Sequence, residues 1–68
     1  MERNTFTSTN LKNMEYENGT LRLMFNAGGV YEYYNVPQTV VSELQQAQSA
    51  GSYFHRFIRD QYTFKKVG

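Results

Sequence analysis

The stretch Thr20-Leu21-Arg22-Leu23-Met24-Phe25-Asn26-Ala27-Gly28-Gly29-Val30-Tyr31-Glu32-Tyr33-Tyr34 decides the fold. Its first half alternates. Leu21, Leu23 and Phe25 fall on one side and Thr20, Arg22 and Met24 on the other, which is the period of a half-buried strand. Val30 to Tyr34 alternates again after a glycine turn. The length of that turn sets the face of everything downstream, because a slip of one residue exchanges the two sides of a strand. A two-residue loop places Glu32 opposite Leu23, on the apolar side. A three-residue loop over Ala27-Gly28-Gly29, with Gly29 left-handed, pairs Asn26 with Val30 and puts Tyr31 opposite Phe25 and Tyr33 opposite Leu23. Burying a lone carboxylate costs far more than accommodating a glycine bulge, so the three-residue loop is expected. In that register Tyr34 lies opposite Arg22.

Working upstream, Asn18-Gly19 sits between Glu17 and Thr20. Asn-Gly tolerates positive φ at both positions of a type I′ turn and is the strongest short-range hairpin signal. It pairs Tyr16 with Leu21, Glu15 with Arg22 and Met14 with Leu23. One sheet face then holds Met14, Tyr16, Leu21, Leu23, Phe25, Tyr31 and Tyr33. The other holds Glu15, Arg22, Met24, Val30, Glu32 and Tyr34. Working downstream, Pro37 suits a first helical position. Val40, Val41, Leu44 and Ala47 then form one helical stripe. Ser49-Ala50-Gly51-Ser52 breaks this helix and caps the next, whose apolar stripe is Phe54, Phe57 and Ile58. Tyr62-Thr63-Phe64 reads as extended, either a short edge strand or a packed tail. The expected fold is therefore α+β. A three-stranded antiparallel meander (12–17, 20–26, 30–35) has one face covered by helices over 38–48 and 52–60, a βββαα order. Residues 8–66 form the single domain, and 1–7 are a flexible lead-in.

Size and composition narrow the function. In 68 residues there is no Cys, one His and one Asp. Disulfides, thiol catalysis and cysteine-based zinc sites are excluded, and a carboxylate–His–nucleophile set has almost nothing to draw on. No apolar run approaches the roughly 20 residues of a membrane helix, and the first residues lack the apolar stretch of a signal peptide. A cytoplasmic, non-enzymatic domain without cofactor is expected. A core this small rarely supplies more than about 3–5 kcal/mol, but six Tyr and five Phe bury much area per residue. A monomer or a weak homodimer fits.

The net charge of +1 hides an asymmetry. Residues 1–51 carry an excess of two carboxylates. Residues 52–68 carry Arg56, Arg59, Lys65 and Lys66 against Asp60 alone, with His55 in the same segment. A basic segment attracts phosphate and makes binding salt-dependent, although four cations on a helix and tail also serve as ordinary solubilising charge. Tyr31 and Tyr33 belong to the core, with hydroxyls at its rim. Tyr34, opposite Arg22, is either a cation–π partner or half of a binding surface. His55 lacks a nearby Ser, Cys or carboxylate in any motif and is read as a helix-surface residue. Gly28-Gly29 has no following Lys-Ser/Thr and is a turn, not a phosphate loop. Ser49 and Ser52 are explained by capping. Glu15, Glu17 and Glu32 lie on the exposed strand face, and salt bridging with Arg22 accounts for two of the three.

The residues Ser8-Thr9-Asn10-Leu11, Tyr16, Leu21-x-Leu23-x-Phe25, Gly28, Tyr31-x-Tyr33, Val36-Pro37 and Ala47-x-Ser49-x-Gly51-x-Tyr53-Phe54-x-x-x-Ile58-Arg59-x-x-Tyr62 together resemble the KTSC domain. That family is named for its occurrence at the C-terminus of some lysyl-tRNA synthetases and also occurs as small stand-alone bacterial or phage proteins. Thr9 departs from the pattern, where a second Ser is usual. The resemblance brings no catalytic residue and no cofactor. Its synthetase context implies an RNA-related role, with tRNA-like RNA as the partner. On this reading Arg56, Arg59, Lys65 and Lys66 contact phosphates, and His55, Arg22 and Tyr34 add polar or stacking contacts. The alternative is a protein-interaction module of phage or prophage type, docking on a host protein through Met24, Val30 and Tyr34 on the outer sheet face.

Overall fold

The computed structural model describes residues 2–6 and 10–68. The chain runs β1 (Glu2–Thr5), β2 (Leu11–Glu17), β3 (Thr20–Phe25), β4 (Val30–Tyr33), α1 (Gln38–Gln46), α2 (Ala50–Phe57) and β5 (Phe64–Lys66). The five strands form one antiparallel sheet whose spatial order is the chain order. The α+β class and the two helices are as expected, but the sheet has five strands where the sequence suggested three.

The β2–β3 hairpin follows its turn residues. Asn18 and Gly19 take φ of 54° and 83°, and Glu17–Thr20, Tyr16–Leu21, Glu15–Arg22 and Met14–Leu23 pair as expected. Between β3 and β4 the register is two residues away from the expected one. Val30 pairs with Met24, not Asn26; Tyr31 faces Leu23 and Tyr33 faces Leu21. Gly28 and Gly29 are both left-handed, at φ 96° and 101°, and the loop closes when the Phe25 N–H donates to the Gly29 carbonyl at 3.2 Å. The longer loop places Glu32 opposite Arg22, where the shorter one would have put it opposite Met24. The Arg22–Glu32 ion pair favours the observed choice. A slip of two keeps side-chain parity, so every residue stays on the face assigned to it.

The two additional strands are the two ends of the sheet. β1 is polar, Glu-Arg-Asn-Thr, so no apolar alternation announces it. It is held against β2 by backbone pairing, from Glu2–Tyr16 to Thr5–Asn13, and by the Phe6 N–H donating to the Lys12 carbonyl at 2.9 Å. The sequence predicts a flexible lead-in over residues 1–7, whereas Glu2–Thr5 are strand. Thr7, Ser8 and Thr9 lie outside the described residues. β5 pairs Tyr33 with Phe64 and Tyr31 with Lys66, two residues beyond the extended Tyr62–Phe64 segment recognised in the sequence. The Thr63 carbonyl accepts from the Tyr34 N–H at 2.9 Å and leads the chain into it.

The core lies between the inner sheet face and the helices. Leu11, Met14, Leu21, Leu23 and Tyr33 meet Val36, Val41, Leu44, Ala50, Phe54 and Ile58, all buried. Three of these escaped the sequence reading: Leu11, Val36, and Ala50, which belongs to the first turn of α2. Leu11 has the wrong parity for the inner face, and an irregularity in the β2–β3 pairing between Leu11 and Asn13 turns it inward beside Met14, the usual effect of a β-bulge. Val36 is fixed by its backbone: its N–H donates to the Gly19 carbonyl and its carbonyl accepts the Tyr16 hydroxyl at 2.6 Å.

Pro37 caps α1 from outside, with ψ 154°, one position before the expected one. α2 starts two residues early because the Ser49 side chain accepts the Ser52 N–H at 3.3 Å. It ends early at Ile58, whose φ and ψ of −121° and −48° leave the helical region. Phe57, the last residue of α2, lies off the buried stripe. It is 48% exposed and packs on Tyr53 at 4.7 Å between ring centres. The Tyr53 hydroxyl donates to Glu43 at 2.6 Å and ties α2 to α1.

Two outcomes test this packing. Leu23→Ala removes a fully buried side chain from the central strand and should cost about 2–5 kcal/mol. That is comparable to the whole net stability of a core of this size, so its thermal transition should be lost or lowered by tens of degrees. Burial and the Glu43 carboxylate push the Tyr53 hydroxyl up from 10.0 to about 12. Because the folded value is the higher one, its contribution is complete below pH 10 and disappears as pH rises towards 12. An alkaline unfolding series should show stability falling across that window, and less steeply in Tyr53→Phe.

Candidate functional site

The outer sheet face carries a row of charges of alternating sign. Arg3, Glu15, Arg22, Glu32 and Lys65 are successive register partners from β1 to β5. Arg22 reaches both neighbours, Glu32 at 2.6 Å and Glu15 at 3.3 Å, and Arg3 lies 3.6 Å from Glu15. The Tyr34 hydroxyl donates to Glu32 at 3.1 Å. The Arg22 hydrogen bond, then that of Tyr34, holds the Glu32 carboxyl below the usual carboxylate range, with Lys65 adding to the effect. Glu32 in turn raises the Arg22 guanidinium. The expected salt bridging of two carboxylates by Arg22 is present, and the two are Glu15 and Glu32. The register that set Tyr34 over Arg22 is not, and Tyr34 serves Glu32 instead.

The inner face is open at one end. Ile58 ends α2 before it reaches the β3–β4 loop, and a cleft of about 430 Å³ remains. Phe25, Tyr31, Tyr33, Phe54 and Phe64 line it, with Ala27 and Gly28 of the loop on one side and Arg59 on the other. A second hollow of about 260 Å³ shares Phe25, Ala27 and Phe54 and extends the groove to Asn10 and His55. The rings interlock. Phe54 stands edge-on to Phe25 and to Tyr33, at 5.4 and 5.6 Å between centres. Phe64 stacks on Tyr33 at 5.2 Å and 29°. Arg59 Nη1 lies 3.2 Å from His55 Nδ1. A guanidinium has only donors, so in this contact Nδ1 is the acceptor. Burial pushes the Tyr33 hydroxyl up, Tyr31 and Asp60 add to that push and the Arg59 charge opposes it.

The seven residues picked out from sequence therefore separate. Arg59 and His55 border the groove. Lys66, the register partner of Tyr31, shares the inner face with them. Lys65, Arg22 and Tyr34 belong to the charge row on the opposite face. Arg56 lies with its guanidinium 5.6 Å from the Phe57 ring centre. The sequence reading did not find the groove, nor the place of Phe64 in it. The available signal was the parity of β5: once Phe64 pairs with Tyr33, positions 64 and 66 face inward and 65 faces out.

The family model of the KTSC domain matches residues 7–62. This chain belongs to the KTSC domain family. A lysine–tRNA ligase of Nostoc sp. (strain PCC 7120) is 48% identical over 48 residues, which are 71% of this chain and 9% of the ligase. One from Trichormus variabilis is 42% identical over 59 residues, 84% of this chain and 10% of the ligase. The KTSC chain thus spans about a tenth of the length of these ligases. An uncharacterized protein of Stutzerimonas stutzeri is 33% identical over 64 residues and is matched over 90% of its own length. The crystal structure of a KTSC domain protein from Yersinia pestis superposes with a TM-score of 0.92 at 26% identity, covering 98% of this chain and 97% of that one. Strand β5, and with it Phe64 and Lys66, lies beyond the residues that the family model matches.

Several residues of the KTSC resemblance have plain structural roles here. Ser49 caps α2, Gly51 is buried in its first turn, Phe54 closes the core and Tyr53 joins the helices. Ser8 and Thr9 lie outside the described residues. Among the described residues no helix is long and apolar enough to cross a membrane.

The charge row has a titration signature. The folded value of Glu32 is the depressed one, so its stabilising effect is present at neutral pH and is lost as pH falls through that value. NMR titration of the side-chain carboxyl should find Glu32 below the ordinary range in the native protein and back within it in Arg22→Gln.

Proposed function

We propose that this KTSC domain is a non-enzymatic, cytoplasmic RNA-binding module whose ligand lies in the groove between α2 and strands β4 and β5. The observation that carries this reading is an open groove of aromatic rings lined by Arg59 and, in its extension, by His55, with Lys66 on the same sheet face two residues from Phe64. Single-stranded RNA is recognised by stacking unpaired bases on aromatic side chains while cations hold the backbone. Among the described residues, no ion pair engages Arg59 or Lys66, whereas Arg22 and Arg3 already have carboxylate partners. The lysine–tRNA ligases among the relatives support an RNA ligand, tRNA-like in kind. Arg59 and Lys66 are the principal phosphate contacts, Arg56 a more peripheral one, and His55 supplies a ring N–H donor.

Docking of a protein on the outer sheet face has less support. Met24 and Val30 pair there next to the charge row, and the Tyr34 hydroxyl is bound to Glu32.

Titration of a labelled single-stranded RNA oligomer at rising salt tests the proposal. About three phosphate contacts correspond to a slope of log affinity against log salt of roughly −2. Arg59→Ala combined with Lys66→Ala should weaken binding at least tenfold and flatten the slope, while Arg3→Ala on the outer face leaves both unchanged. Absence of binding at low salt, or equal effects from the two faces, overturns the assignment.

A further inference from the structure

The groove contains one ring that is both fixed and open. Phe64 lies against Tyr33, with 5.2 Å between ring centres and 29° between planes, and 6.0 Å from Tyr31, yet half of its surface remains in solvent. The other rings do different work. Tyr33 and Phe54 are buried in the core, and Phe25 stands edge-on to both Tyr31 and Phe54. An exposed large ring costs solvation, and nothing in the core requires it at position 64, on an end strand of three residues. We infer that Phe64 is the stacking platform of the groove, and that the ligand it takes is a single unpaired nucleotide: the base continues the Tyr33–Phe64 stack, and its flanking phosphates lie between Lys66 and Arg59. This rests on the RNA reading above and narrows it to unpaired nucleotides.

Three observations support the narrower ligand. The cleft of about 430 Å³ lies within the roughly 300–1,000 Å³ of small-ligand sites and is closed on two sides by α2 and the β3–β4 loop. A space of that order suits one splayed base, whereas the bases of a duplex are already stacked and paired and cannot be offered to a ring face. The two cations flank the ring. Lys66 is two residues from Phe64 on the same face of β5, and Arg59 lines the cleft from the other side. Finally, stacking on a ring face is tolerant of base identity, and among the cleft residues only Arg59 and the hydroxyls of Tyr31 and Tyr33 offer side-chain polar atoms. The site is thus built to distinguish unpaired from paired strands ahead of one base from another.

The test uses the full chain and a single-stranded RNA hexamer carrying one 2-aminopurine, whose fluorescence is quenched on stacking, beside the same sequence closed into a hairpin stem. Phe64→Leu keeps apolar bulk and removes the ring face; Phe64→Trp enlarges it. The hexamer should bind with quenching and the stem at least tenfold more weakly. Phe64→Leu should lose about tenfold in affinity and most of the quenching with an unchanged salt slope, and Phe64→Trp should restore both. Thermal melting confirms that each variant is folded, as expected for a half-exposed side chain. If Phe64→Leu binds and quenches like the parent, or the stem binds as well as the hexamer, while Arg59→Ala with Lys66→Ala still abolishes binding, the platform is refuted and the RNA reading survives. If the parent protein binds no hexamer, both fall.

Discussion

The fold hangs on where the Phe54 ring goes. It is fixed early in α2 by a helix start that the Ser49 cap determines, and it inserts edge-on between Phe25 and Tyr33 on the inner face of the sheet. In that position it seals the apolar side of β3 and β4 with 5% of its own surface exposed. Four residues on, Ile58 ends α2 and leaves the remaining aromatic surface uncovered. Core and groove are the two sides of one ring. A change that loosened Phe54 would weaken the domain and blur the groove together, so stability and any binding at this place are coupled through a single packing contact.

Charge is organised by strand parity. The chain as a whole is nearly neutral, but the pleat sends alternate residues to opposite faces. On the outer face, Arg3, Glu15, Arg22, Glu32 and Lys65 fall into one row in which each charge has a neighbour of opposite sign. Exposed pairs of this kind contribute little singly, but the row takes in Lys65, one of the four cations that the sequence offers as phosphate contacts. The inner face keeps Arg59 and Lys66 outside that row. Net charge therefore says little about this surface, and register says much.

Much of this arrangement is written locally, and what is not depends on contacts between distant segments. Asn18-Gly19 specifies its hairpin without help from the rest of the chain. The faces of β3 and β4 survive an error of two residues in the loop because parity repeats every second residue. The capping serine and the apolar spacing place both helices. By contrast, β1 has no apolar pattern and exists because β2 offers it backbone partners. Leu11 is buried through a bulge that its own residue type does not signal. The groove arises from the point at which Ile58 leaves helical geometry relative to a strand that begins six residues later. Lys65 and Lys66 look equivalent in sequence and part company only when Phe64 pairs with Tyr33.

Because strand order equals chain order, the first and last strands sit at opposite margins of the sheet, separated by four strand spacings, or roughly 19 Å. The groove borders the last. A fluorophore, affinity handle or fusion partner attached ahead of Glu2 leaves from the far margin and keeps clear of the aromatic opening. The same attachment after Gly68, whose carbonyl accepts from the Val30 N–H beside the glycine loop, emerges next to that opening and shades it.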